Sequence, residues 1–159
     1  LSDLYIPPGL KFKEDKNDKW PEVAEKLVAS DIVIFATPIW WGSRSSLMQR
    51  IIERMDSFDE QYKDKGRSVL LNKIAGVVIT GSEDGAQATL GCILSVLTFM
   101  NFTIPPECCT YWVGEVGKPP LTNRSDRLKN KSSKIMAQKM AANLVYYGNL
   151  LKKYPLIKP

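Results

Sequence analysis

The sequence predicts an α/β domain, a doubly wound parallel sheet with helices on both faces. Three observations lead there. Short apolar runs of the kind buried in a sheet interior recur at residues 31–36 (DIVIFA), 73–80 (KIAGVVIT) and 108–114 (CCTYWVG). Stretches with helical apolar spacing alternate with them. Each run stops at glycine or proline, the usual punctuation between elements.

Residues 1–6 (LSDLYI) read as the tail of a strand, closed by Pro7, Pro8 and Gly9. Pro21 suits the first turn of a helix that carries Val23, Ala24, Leu27 and Val28 on one side. The strand at 31–36 is expected to end at Thr37-Pro38. A second helix follows Gly42 and Ser43, with Leu47, Ile51, Ile52, Met55 and Phe58 as its apolar stripe. Ser46 and Gln49 have the spacing of a capping box at its start. After the strand at 73–80 and the segment Gly81-Ser82-Glu83-Asp84-Gly85, a third helix places Leu90, Ile93, Leu94, Leu97 and Met100 inward. Pro105 and Pro106 break the chain before the strand at 108–114. A long last helix, residues 125–153, turns Ile135, Met136, Met140, Leu144, Tyr147 and Leu151 inward. No internal repeat interrupts this order, and 159 residues suffice for one domain with one core.

Composition narrows the chemistry. There is no histidine, so neither a Ser-His-Asp nor a Cys-His arrangement is available, nor a histidine-ligated metal. Three cysteines, two of them adjacent, make no disulfide framework and fit a reducing, cytoplasmic compartment. No apolar run is long enough for a membrane span. The net charge of +5 comes from the C-terminal stretch, where Arg124, Arg127, Lys129, Lys131, Lys134, Lys139, Lys152 and Lys153 face one acid, Asp126. Without interleaved aromatic residues or a nucleic-acid-binding motif, a solvated helix face explains this better than a nucleic-acid surface.

In an open parallel sheet, right-handed crossovers bring every strand's carboxyl end to one edge, where ligands bind. Past the first strand stand Thr37, Pro38, Ile39, Trp40, Trp41 and Gly42. Two tryptophans there either wall a flat aromatic ligand or anchor the loop to the core or to another subunit. Past the second stand Thr80, Gly81, Ser82, Glu83, Asp84 and Gly85. This is either a cradle of backbone amides for a neutral heterocycle or a plain strand-to-helix turn, and its acids speak against a phosphate. Residues 114–120 would form a third wall. Aromatic and glycine loops together suit a planar ligand with polar edges, such as a flavin, whose cofactor chemistry needs no protein acid or base.

At these two loops the sequence resembles the flavodoxin-like NADPH-dependent FMN reductase family. It looks closest to the branch that includes iron-sulfur flavoproteins and related NAD(P)H-dependent oxidoreductases. The stretches SDIVIFATPIWWGSRSSLMQRIIERMDSF and KIAGVVITGSEDGAQATLGCILSVLTFMNFTIPP carry the likeness, which extends over residues 1–115. Family members share the aliphatic strand, the Thr/Ser-Pro-aliphatic-aromatic-aromatic-Gly loop, a small-residue helix start and an acid-Arg pair, here Glu53-Arg54 or Arg54-Asp56. The resemblance implies a flavodoxin-like fold with bound FMN and NADPH or NADH as co-substrate. It implies that Thr37, Pro38, Ile39, Trp40, Trp41 and Gly42 line the isoalloxazine. Thr80, Gly81, Ser82, Glu83 and Gly85 would donate backbone hydrogen bonds to it, with no catalytic side chain required. It further implies a small-molecule electron acceptor and a homodimer or homotetramer.

Two features depart from the family. Its opening strand and Ser-rich phosphate loop have no counterpart, so the chain reads as an N-terminally incomplete flavodoxin-like domain. The iron-sulfur branch's cysteine motif is absent near IPPGLKFKEDKND, and Cys92, Cys108 and Cys109 have the wrong spacing to replace it, so no cluster is expected. The leading functional expectation is an FMN-dependent NAD(P)H oxidoreductase. The alternatives are a flavodoxin-type electron carrier, which the pI of about 9.1 disfavours, and a flavin-free interaction module on the same fold.

Overall fold

The computed structural model describes residues 4–59, 68–81, 84–113 and 128–156. Among them the elements run α1 (Trp20–Ala29), β1 (Ile32–Trp40), β2 (Ser43–Arg44), α2 (Ser46–Met55), β3 (Ile74–Gly81), α3 (Ala86–Phe99), β4 (Cys109–Val113) and α4 (Lys131–Lys153). The strands form one sheet in the order β2-β1-β3-β4. β1, β3 and β4 are parallel, and β2 turns back antiparallel on the end of β1. The fold is therefore α/β with a mostly parallel sheet, as the alternation of elements predicts.

Register decides which residues face which layer. Ile32 pairs with Ile74 and Phe35 with Val77, so odd-numbered residues of both strands share one face. On that face Phe35, Ile39, Ala75, Val77 and Ile79 pack with Trp20 and Leu27 of α1, Ile52 and Met55 of α2, and Ile93 and Leu97 of α3. The opposite face has a smaller cluster, Ile74 with Met140 and Leu144 of α4, joined by Ile32, Val78, Tyr147 and Leu151. Gly76 and Gly148 let α4 lie close there. A β-carbon at Gly76 would come within 2.9 Å of Leu144, and one at Gly148 within 3.3 Å of Ile32.

Several expectations change. Leu4, Tyr5 and Ile6 form no strand. The Tyr5 carbonyl accepts from the Lys19 amide, the Ile6 carbonyl accepts from Arg50, and the Ile6 side chain is buried in the core. β1 does not stop at Thr37-Pro38 but continues to Trp40. The reason lies in its hydrogen bonds: the Ile74 amide donates to the Asp31 carbonyl, so odd-numbered β1 residues bond to β3 and even-numbered ones face outward. Pro38 lacks its N–H on the side away from β3, just before the residues that β2 pairs, an edge position where a sheet tolerates proline. β1 is also not buried on both faces. Ile34 keeps 51% of its surface exposed, while Phe35 keeps 4%.

The helix starts differ as well. Ser45, not Ser46, caps α2, its hydroxyl accepting from the Met48 amide. Gln49 instead bridges Arg44 and Glu53. Leu47 and Ile135 point outward, and Met48 takes the place in the core expected of Leu47. The expected part of the last helix before Leu128 and the loop at 114–120 lie outside the described residues.

Arg54 has neither expected acid as its partner. It is fully buried, its guanidinium 2.5 Å from Asp18 and 3.1 Å from Glu14, with a further bond to the Phe12 carbonyl. Asp18 in turn accepts from the amides of Trp20 and Glu14. A buried ion pair holds only where its remaining polar atoms are also bonded. Here Glu14, Asp18 and the Phe12 carbonyl supply those bonds to the guanidinium except at its Nε, which has no hydrogen-bond partner, and so pin residues 10–19 onto α2. Glu53 and Asp56, one and two positions from Arg54, are directed elsewhere by helix geometry.

Candidate functional site

The carboxyl edge of the sheet begins with a tight hairpin. Trp41 (φ +50°) and Gly42 (φ +72°) are the two residues between β1 and β2, both in the left-handed region, which is the signature of a type I′ turn. This turn suits the sheet's twist, but a bulky residue in the left-handed region costs about 1–2 kcal/mol. Trp41 nevertheless occupies it and is 93% exposed, and Trp40 beside it is 62% exposed. Neither ring anchors the loop to the core, so of the readings of the tryptophan pair a flat ligand and another subunit remain.

The turn is fixed from beneath. Thr37 is buried; its hydroxyl accepts from the Ser45 amide, 3.1 Å away, and donates to its own strand at the Pro38 carbonyl. Ser45 then caps α2, so turn, second strand and helix start form one hydrogen-bonded unit. Ile39 is buried under Gly81, where a β-carbon would come within 2.9 Å of its side chain. Thr37 and Ile39 thus hold the loop in shape, with their side chains buried beneath it. Of the six residues expected to line a ligand, Pro38, Trp40 and Trp41 have exposed side chains and Thr37 and Ile39 have buried ones.

The second loop meets the first. Gly85 (φ +117°) lies against Gly42, and a β-carbon on Gly85 would fall 2.7 Å from the Gly42 α-carbon. The contact exists because neither residue has a side chain. Above Gly42 the space is open, with nothing within 4 Å of a β-carbon built there. The Gly85 amide donates to the Asp84 carboxylate at 2.7 Å, so it is not a free donor. Thr80 is exposed and Gly81 half-buried, and Ser82 and Glu83 lie outside the described residues.

Register adds a residue that the sequence reading missed. Pro38 pairs with Thr80, and Thr80 with Trp112, so the three form a row across the sheet on the α4 side. Trp40 projects from the same side of β1. A cavity of about 510 Å³ opens beside this row, bounded by Thr80, Thr110, Trp112, Asn130, Ser133 and Lys134. The only signal for Trp112 in the sequence was an aromatic pair near the end of a short strand.

The arrangement fits part of a flavin. Two exposed indoles, a third at the cavity and open space over glycine suit a flat ring. It does not provide a phosphate cradle at the turn, where Arg44 is bonded to Gln49 and Asp84 adds negative charge. Among the described residues no cluster of His, Cys, Asp and Glu is arranged to hold a metal ion. Burial raises the thiol pKa of Cys108 and Cys109, the reverse of what a reactive or metal-binding cysteine needs. No helix among the described residues is long and apolar enough to cross a membrane.

Comparison with known proteins identifies the family. The chain is 32% identical over 145 residues to an 8-demethyl-8-aminoriboflavin-5'-phosphate synthase of Streptomyces davaonensis, covering 90% of this chain and 56% of that protein. The crystal structure of RosB with bound 8-demethyl-8-formylriboflavin-5'-phosphate superposes with a TM-score of 0.81 at 29% identity, over 90% of this chain and 60% of the other. An apo NADH:FMN oxidoreductase shares the fold at a TM-score of 0.54 and 18% identity, over 85% of this chain and 61% of the other. The chain thus spans little more than half the length of the curated flavin enzyme it matches. Residues 1–115 match NADPH-dependent FMN reductase, and the chain belongs to that family.

Proposed function

We propose that the protein is an FMN-dependent NAD(P)H oxidoreductase that passes reducing equivalents to a small-molecule acceptor such as a quinone, an azo compound or a free flavin. What supports the reading is the meeting of the Trp40-Trp41-Gly42 turn and the Gly81–Gly85 loop at one sheet edge, in a chain of this family. When bound, FMN supplies the two-electron chemistry, which explains why no histidine or paired acid is needed.

The protein's own work is binding and exclusion. Trp40 and Trp41 offer flat faces for the ring, and Gly42 and Gly81 allow the backbone to approach it. Thr80, exposed at the centre of the row, offers a hydroxyl to a carbonyl or ring nitrogen. Trp112 and the adjoining cavity give nicotinamide or acceptor an apolar wall that sheds water. The exposed turn also suits the homodimer or homotetramer contact expected from the sequence.

The visible absorption spectrum tests this, recorded as purified and again after incubation with FMN and desalting. A retained flavin band that NADPH or NADH bleaches is the expected result. A folded, full-length natural chain that retains no flavin would leave the flavin-free interaction module as the better reading. A flavin band that neither nicotinamide bleaches would favour an electron carrier.

A further inference from the structure

The cavity beside Trp112 has two walls tied to each other. One is the α4 side of β3 and β4, where Val78 pairs with Thr110 and Thr80 with Trp112. The other is the start of α4, with Asn130, Ser133, Lys134 and Ala137. The Ser133 hydroxyl donates to the Tyr111 carbonyl, and the Thr110 hydroxyl donates to the Ser133 carbonyl. Those two hydroxyl protons hold the walls together and are not available to a ligand.

What remains is a set of donors. Trp112 is half-buried, yet its indole N–H has no hydrogen-bond partner among the described residues. An indole in that position usually finds one. The Asn130 amide oxygen accepts from the Ser133 amide, so what Asn130 can offer is its NH2 group. Lys134 has no acid partner among the described residues, whereas Lys139 and Lys152 of the same helix are held by Glu107 and Asp31. No Asp or Glu is among the described residues that line the cavity. Val78, Ala137 and the ring of Trp112 give the donors an apolar setting, and about 510 Å³ is room for a small organic ligand.

We propose that this cavity binds an aromatic carboxylate, and that Lys134 selects it by pairing with its single negative charge. Donors without acids call for a ligand with acceptor oxygens, and the indole calls for a flat ring beside them. One ammonium matches a monoanion. A phosphate dianion would call for an arginine fork or several cations, and neither lines the cavity. The row Pro38-Thr80-Trp112 gives the ligand a direction. Trp112 stands two strand spacings, about 10 Å, from Pro38, so a two-ring acid with its carboxylate at Lys134 extends toward Thr80 and the tryptophan turn. On the cofactor reading proposed above, on which this step rests, the acid is the electron acceptor. A quinone bearing a carboxylate gains two electrons and one proton, the hydride that the nicotinamide loses, and a second proton from water. It leaves as the hydroquinone, and the nicotinamide leaves oxidised.

Isothermal titration calorimetry of the purified protein reads this binding without turnover. The probes are 2-naphthoate, its neutral methyl ester and adenosine 2',5'-bisphosphate. The acid is expected to bind roughly 10-fold more tightly than the ester. Lys134→Gln should remove that preference and Lys134→Arg should keep it. Lys139→Gln, at a lysine of α4 that does not line the cavity, should leave it unchanged. Equal affinity for acid and ester would overturn the proposal. So would an equal loss in Lys139→Gln, which would mean diffuse positive charge alone. Lys134-dependent binding of the bisphosphate, without any for naphthoate, would assign the cation to a dinucleotide phosphate and overturn it too. In the flavin-loaded protein, kcat/KM for anthraquinone-2-carboxylate is expected to fall about 10-fold on Lys134→Gln, and an unchanged value would overturn the acceptor assignment. A protein that binds the acid through Lys134 but holds no flavin would keep the site and sink the acceptor role alone, so the two readings fail separately.

Discussion

The two faces of the sheet contrast within a single strand. On one side of β1, Phe35, Thr37 and Ile39 are buried beneath three helices. On the other, Ile34, Ala36, Pro38 and Trp40 are exposed, although the residue types barely differ. Stability is therefore concentrated on the closed face. The α4 side of β1 and its carboxyl rim carry the exposed apolar surface, Ile34, Trp40 and Trp41 among it.

The contrast is broken most severely at the ion pair that locks the closed face. Arg54→Ala leaves Asp18 buried without its counter-charge, and urea denaturation is expected to register a loss of about 3–5 kcal/mol. The exposed Lys139–Glu107 pair gives the control, since surface pairs contribute at most about 1 kcal/mol. The hydrophobic comparison is nearly as large. Phe35→Ala, which also removes an edge-on contact with Phe102, is expected to cost about 3–5 kcal/mol. Ile34→Ala in the 159-residue chain should cost less than about 1 kcal/mol, as its side chain is already half in water. Equal losses at the two positions would mean that the open face is covered in solution.

Smaller effects sharpen the picture at the rim. Gly85→Ala introduces a β-carbon against Gly42 at a φ of +117°, and is expected to lose roughly 1–3 kcal/mol and to weaken FMN retention. Trp41→Asn should do the opposite to the fold. Asparagine tolerates the left-handed turn, so the melting temperature should rise, with a gain of about 1 kcal/mol. Flavin retention should fall, because the exposed ring is lost. A tryptophan that could be replaced without any change in flavin or subunit binding would have no reason to sit in a strained turn.

The smallest effect is chemical. Cys92 is exposed and should be alkylated first, with Cys108 and Cys109 reacting slowly because burial raises their pKa. In the unfolded chain these two thiols ionise at ordinary pH values, below their folded values. The unfolded state thus loses protons first as pH rises, and stability is expected to decline through the alkaline thiol range. Denaturation midpoints measured across that range check the sign.

Much of this was legible in the sequence because it depends on local rules. Apolar runs and helical spacing gave the strand and helix order, since burial requires those periodicities. Trp40-Trp41-Gly42 and Gly81–Gly85 were found because aromatic and glycine residues are conspicuous just past a strand. The partners of Arg54 were not legible. Asp18 and Glu14 are distant in sequence, and nearer acids at Glu53 and Asp56 were the obvious local choice. Trp112 was missed for a related reason: only the register of three strands puts it in line with Pro38 and Thr80.

By itself, then, the sequence determined the class of fold, the order of its elements and the two loops that carry the candidate site. Those follow from side-chain periodicity and backbone chemistry, which act over a few residues. Tertiary structure alone decided that β1 runs on to Trp40, that Thr37 and Ile39 serve the turn from beneath, and that the α4 side of β1 stays exposed. Each of these depends on which strand lies beside β1 and which helix lies above it. Such neighbours are set by the packing of distant segments, and no local pattern encodes them.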